Sequence, residues 1–242
     1  MTTTTLLIII AASFGAAFIQ RATGFGFGIF IMTVLPYVMP SYGEATTLSG
    51  MLALLTAIIL VIRYFHEVRW RRLWPILLTF LAVSFVAVRL VAVVDEATLR
   101  PILGVMLIAA AIYFWYFSSR VHLRPTLPTQ LSLGTLSGLM GGLFGMQGPP
   151  AVLYFISVSK TKEEYIAIMQ MYFLVGNIVM TCYRANAGFL TPTVWTAWCY
   201  GAGAVVLGTW LGSLIFRYLS LPLLRRIVFA YIALSGVLAL LK

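Results

Sequence analysis

Long intervals without a charged side chain constrain this chain more than any motif in it. Residues 45–62, 73–88, 101–119 and 165–183 contain no Asp, Glu, Lys or Arg. Further apolar intervals lie within 185–216 and from 227 to the end. A helix crossing a hydrocarbon core of ~30 Å needs about 20 residues, so each interval fits one crossing. With 62% apolar and 9% charged residues in 242, too little charge remains to cover a water-facing surface. The pattern predicts an all-α polytopic membrane protein with six ordinary spans.

Two stretches do not fit that ruler. One runs from Thr5 to about Pro40, interrupted by Gln20, Arg21 and the glycines of Gly24-Phe25-Gly26-Phe27-Gly28. The other runs from Pro125 to Ser159, interrupted by Gly141-Gly142, Gly145 and Gly148-Pro149-Pro150. Both are long for one crossing and short for two. Basic residues gather on the cytoplasmic side of short loops. Arg63, Arg69, Arg71 and Arg72 mark one inside loop, Arg120 and Arg124 a second, Lys160 and Lys162 a third, and Arg217, Arg225 and Arg226 a fourth. This leaves Arg184 in the loop between the last two. Pro125 and Ser159 then share a side, and the segment between them enters and leaves by one face. Such a re-entrant hairpin is tolerated where protein or a wet cavity satisfies its backbone. Its halves of about 15 residues would bring the break near the midplane. The alternative, eight full spans in parallel repeats, would place a positive loop outside.

The breaks match at an offset of 121 residues: Gly24 falls on Gly145, Gly28 on Pro149 and Arg63 on Arg184. Ser41-x-x-Glu44 and Thr161-x-x-Glu164 carry the same helix-start signature within one residue of that offset. The reading is a duplication, 1–121 and 122–242, each unit one broken helix plus three spans, the second inverted relative to the first in one membrane domain.

A broken membrane helix frees backbone N–H groups, and its new N-terminus favours negative charge. In the first break Arg21 adds a full charge, beside Thr23 and the backbone of Gly24, Gly26 and Gly28, where glycine allows close approach. In the second, Gln147 is the polar side chain between Gly145 and Gly148. Gly141 and Gly142 fit helix packing at least as well as ligand contact. Ser49 and Thr56 map at the same offset onto Gln170 and Asn177, and seven residues keep each pair on one helix face, read as a cavity lining. The predicted substrate-binding set is Arg21, Thr23, Gly24, Gly26, Gly28, Ser49, Gly145, Gln147, Gly148, Gln170 and Asn177.

Other chemistry is poorly supported. Glu44, Glu67, Asp95, Glu96, Glu163 and Glu164 fall in loops or at helix ends, and His66 and His122 in predicted cytoplasmic loops. No proton relay, metal cluster or Ser/His/Asp set is expected, and no cofactor. Arg89 is read as pairing with Asp95 or Glu96, and Cys182 and Cys199 as inert packing residues. The formal charge of +10 is distributed as topology signals rather than as a nucleic-acid-binding face. Met1 to Thr5 has no basic segment and no cleavage site follows, so the N-terminus is expected in the mature protein.

Arg21 to Gly28, Leu136 to Pro150 with its Gly-Gly-x-x-Gly-x-x-Gly-Pro-Pro run, and Leu224-Arg225-Arg226-Ile227-Val228 resemble the TauE/SafE family of sulfite exporter-like membrane proteins over nearly the whole chain. Gln147 departs from the glycine of many relatives. The resemblance implies a secondary transporter of sulfite or an organosulfonate, outward across the bacterial inner membrane. The residues alone reach only an anion-binding transporter; alternating access, by one repeat rocking against the other, is the mechanism expected of it. They leave open a passive anion channel, or a membrane enzyme or assembly factor holding a lipid headgroup. A homo-oligomer and any coupling ion are equally open.

Overall fold

The computed structural model describes residues 1–116 and 125–215, and the single residue 237. The expected span from 227 onward, the loop arginines 120, 124, 217, 225 and 226, and His122 lie outside the described residues.

Among the described residues every regular element is helical: α1 (Thr3–Thr23), α2 (Phe27–Ile31), α3 (Leu35–Val38), α4 (Tyr42–Tyr64) with a 3-10 turn at Phe65–Glu67, α5 (Trp70–Val91), α6 (Glu96–Tyr116), α7 (Leu127–Phe144), α8 (Gly148–Val158), α9 (Lys162–Asn186) and α10 (Pro192–Ile215). The segments Thr3–Ala22, Tyr42–Glu67, Trp70–Val91 and Glu163–Asn186 are each long and apolar enough to cross a membrane. Leu78, Val86, Val206 and Trp210 are exposed on the outside of the bundle, as lipid-facing side chains would be. Phe27, Ile29, Leu48, Leu52, Phe80 and Phe155 pack inside.

The helix starts follow from local chemistry. Ser41 and Thr161 accept hydrogen bonds from the N–H groups of Glu44 and Glu164 at 3.2 and 3.1 Å, capping α4 and α9. Both broken segments stop their first helix on a left-handed glycine. Gly24, at φ 84°, sends its N–H back to the carbonyl of Gln20, and Gly145, at φ 68°, to that of Gly141. In the second segment the arms are unequal, 18 residues in α7 and 11 in α8, rather than the two halves of about 15 expected; in the first, α1 has 21 residues and α2 only 5.

Glycines set how the long helices pair. A Cβ on Gly134 would lie 2.8 Å from Thr79, and one on Gly138 2.8 Å from Val83; Gly142 faces Ser84 and Ala87. Rising numbers meet rising numbers, so α5 and α7 run parallel in a small-residue seam. The same holds for α1 and α10, where Gly201 meets Ser13, Gly208 meets Phe14 and Gly212 meets Arg21. The central helices α4 and α9 run antiparallel: Gly43 faces Phe189, Thr46 bonds Arg184, and Gly50 faces Asn177.

One end of the bundle gathers basic side chains. Arg69, Arg71, Arg72, Pro125 and Lys160 line a groove of about 650 Å³ there. Arg72 pairs with Glu164 at 2.6 Å and donates to the carbonyl of Val158.

Three further expectations need correction. Arg184 is not in a loop: α9 continues to Asn186 and buries that side chain to 2% exposure, because two carbonyls receive it. Arg89 does not pair with an acid; it lies over the ring of Phe85 at 4.1 Å, while Glu96 binds Arg100, one turn on, and the N–H of Tyr42. Cys182 and Cys199 are exposed on α9 and α10 rather than packed inside.

Candidate functional site

The two breaks meet. A Cβ on Gly28 would run into the carbonyl oxygen of Gly145, and one on Gly148 would come within 4.0 Å of Phe25. Only a residue without a side chain lets the start of α2 lie against the end of α7.

Beside this contact is a cavity of about 30 Å³. Gly26, Phe27, Gly28 and Ile29 line it from the first break, and Gly145, Met146, Gln147 and Gly148 from the second. Ser49, Gly50 and Ala53 of α4 and Phe173 and Asn177 of α9 complete the wall with Gln20. N–H groups in a helix's first turn have no intrahelical partner, and α2 has no side-chain cap, so its first residues offer donors to the cavity. The second break offers fewer: Gly145 and Met146 bond Gly141 and Met140, and Pro149 and Pro150 have no N–H. With five residues α2 carries little macrodipole, so its contribution is these donors rather than a long-range field.

Polar side chains supply the rest. Gln147 Nε2 donates to Asn177 Oδ1 at 3.1 Å, both buried. The Ser49 hydroxyl, 1% exposed, has no hydrogen-bond partner. A buried hydroxyl left without a partner costs about 1–3 kcal/mol, which a ligand bonding it would recover. Ser137 fixes the second break from behind, donating to the carbonyl of Gln147 at 2.5 Å and bonding the hydroxyl of Tyr172 at 2.6 Å.

Of the residues singled out from sequence, Gly26, Gly28, Ser49, Gly145, Gln147, Gly148 and Asn177 line the cavity. Gly24 and Gln170 stand just behind: Gln170 Nε2 donates to the carbonyl of Gly24 at 3.0 Å and Gln20 Nε2 reaches Gln170 Oε1 at 3.5 Å. Arg21 is not in the lining; its Nε donates to Ser213 at 2.7 Å in the seam between α1 and α10. The side chain of Thr23 lies outside the described residues. Thr56 is fully buried without a hydrogen-bond partner and is not in the lining.

Sequence reasoning passed over Gln20, Gly50 and, above all, Arg184. Gln20 and Gly50 had a usable signal, each standing within two residues of a nominated position. Arg184 had none beyond its match to Arg63, which is exposed.

A family model described as Sulfite exporter TauE/SafE matches residues 9–239. A protein from Cupriavidus necator named "Probable sulfite/organosulfonate exporter TauE" is 24% identical over 219 residues, covering 88% of this chain and 84% of the relative. No solved structure matches the chain.

Proposed function

Since the chain belongs to the sulfite exporter TauE/SafE family, we propose that it carries a compact sulfur oxyanion, sulfite or a small organosulfonate, out across the bacterial inner membrane from a site between its two broken helices. The observation that carries this reading is the convergence of both breaks, Gly28 against Gly145, beside one small cavity whose wall includes Gln20, Ser49, Gln147 and Asn177. The donors at Gly26 to Ile29, the hydroxyl of Ser49 and the amides of Gln147 and Asn177 hold the oxyanion. Gln170 and Gly24 hold the first break in place, and Arg21 acts from the α1–α10 seam without touching the ligand.

The cavity size favours a small substrate. A water needs about 10–15 Å³ measured this way, so about 30 Å³ admits roughly two water-sized groups. That suits an inorganic oxyanion or a sulfonate head in a slightly opened cavity and disfavours a phospholipid headgroup.

Two inverted repeats, 1–121 and 122–242, are the framework in this reading. Three observations support it: α4 and α9, equivalent at the offset, run antiparallel; α1 on α10 and α7 on α5 are equivalent parallel pairs; and Ser49 and Gln170, equivalent again, each approach the glycine that ends the other repeat's first helix. Arg69, Arg71, Arg72, Pro125 and Lys160 around one groove support a re-entrant α7–α8 segment opening to the cytoplasm. Alternating access follows from rocking one repeat against the other about the cavity.

Purified protein in liposomes tests the proposal. Saturable sulfite movement that Gln147→Ala or Asn177→Ala weakens is the expected result. Absence of sulfite and sulfonate movement by correctly inserted wild-type protein counts against it, and unsaturable conductance points to a channel.

A further inference from the structure

Arg184 sits near the end of α9, 2% exposed. Its Nη1 donates to the carbonyl of Thr46 on α4 at 2.8 Å, and its Nη2 to the carbonyl of Gly141 on α7 at 2.9 Å. Both acceptors are neutral. The ion pairs among the described residues, Arg72–Glu164 and Arg100–Glu96, leave Arg184 out. The hydroxyl of Tyr42, at the start of α4, is also buried, without a hydrogen bond. A full charge inside a membrane protein solvated only by dipoles is expensive, and such residues mark ion pathways.

The guanidinium adjoins the proposed anion site. Gly50 lines the cavity, and the point where its Cβ would stand is 3.1 Å from Arg184 Nη1 and 3.7 Å from Asn177 Oδ1. Arg184 does not itself line the cavity, but Gly50 has no side chain to stand between its guanidinium and Asn177. Resting on the transport site proposed above, we infer that Arg184 is the fixed positive charge that makes the cavity select anions over neutral molecules of the same shape. The bound oxyanion completes its charge balance with oxygens turned toward Asn177 and Gln147. Arg184 acts through space, as a specificity-determining residue, with Arg21 left to the α1–α10 seam.

The competing role is a structural tie joining α9 to α4 and α7, and charge selectivity separates the two. Melting temperature and calorimetric affinity are measured on the purified full chain with sulfite, methanesulfonate and neutral methanesulfonamide. Wild-type protein is expected to respond to the anions and not to the amide. Arg184→Met, with its fold checked by gel filtration and circular dichroism, should weaken sulfite binding by about 50-fold, the effect of one unit charge at ~7 Å in an effective dielectric of ~20. Arg184→Lys, keeping the charge on a single donor head, should stay within about tenfold of wild type. If Arg184→Met does not fold, Asn177→Asp decides. It keeps the bond accepted from Gln147 and should raise the melting temperature of the free protein by pairing with Arg184, while removing the anion response. A lowered melting temperature for Asn177→Asp, or wild-type sulfite affinity in folded Arg184→Met, overturns the charge assignment alone. A wild-type protein that no anion stabilises overturns the site itself, and this assignment with it.

Discussion

Replacing Gly28 and Gly148 by alanine, one at a time, gives a matched test of how closely the two breaks approach. Both are glycines at the start of a post-break helix, and both line the cavity. In each, alanine gains up to about 1 kcal/mol of helix propensity. Their surroundings differ. At Gly28 the new methyl points at the carbonyl oxygen of Gly145, which is backbone and cannot swing aside. At Gly148 the nearest atom is a ring carbon of Phe173 at 3.6 Å, an ordinary contact. Overpacking a tight site costs about 1–3 kcal/mol, and pushing α2 off α7 belongs at the upper end of that range. After the propensity gain, Gly28→Ala should lose about 2 kcal/mol, or roughly 4–8 °C in melting temperature at ~2–4 °C per kcal/mol for a chain of this size. Gly148→Ala should be neutral or slightly stabilising. Sulfite transport in liposomes should fall at least tenfold in Gly28→Ala, because the cavity walls separate, and stay near wild type in Gly148→Ala. Thermal melting in detergent and initial-rate uptake measure both effects. Equal behaviour of the two variants, or a wild-type Gly28→Ala, refutes the close approach and the reasoning built on it.

Other outcomes follow from the same geometry. Ser137→Ala removes the hydroxyl that holds the carbonyl of Gln147 and leaves Tyr172 without that partner, so a loss of about 1–3 kcal/mol in stability is expected, with weakened transport; unchanged melting and uptake would contradict a supporting role. Arg21→Ala loses its bond to Ser213 at the α1–α10 seam and should reduce transport several-fold without abolishing it, since Arg21 does not line the cavity; complete loss with normal folding would place Arg21 at the ligand after all. With Cys182 and Cys199 replaced, a cysteine at Lys160 should be labelled from the cytoplasm and one at the exposed Asn186 from the periplasm. Labelling of position 160 from the periplasm contradicts the inverted arrangement.

The parts of the site that were legible in sequence are those set by local chemistry. A left-handed glycine ends a helix wherever it stands, so Gly24 and Gly145 marked both breaks, and the Ser41 and Thr161 caps were readable from three-residue spacing alone. The seven-residue spacing placed Ser49 and Asn177 on useful faces, but Thr56 and Gln170, equally spaced, fell outside the lining. Period fixes a face and not a depth along it. Arg184 was misread for the opposite reason. A lone charge after an apolar run looks like a loop boundary, and what buries it is a pair of carbonyls 138 and 43 residues away. Arg21 shows the converse error: its local setting beside the glycines pointed to the ligand, while its partner Ser213, 192 residues on, draws it to a helix seam. Glycine spacing on α7 gave the motif for close packing without naming α5 as its partner.

The most direct test of a shared anion site is to locate a heavy analogue. An experimental structure of the full chain in a lipid nanodisc or crystal with selenite should show the selenium between Gly28 and Gly148, within reach of Ser49, Gln147 and Asn177. Selenium found only beside Arg21 and Ser213, or only in the basic groove of Arg69 and Lys160, with the central cavity empty at saturating concentration, would contradict the account.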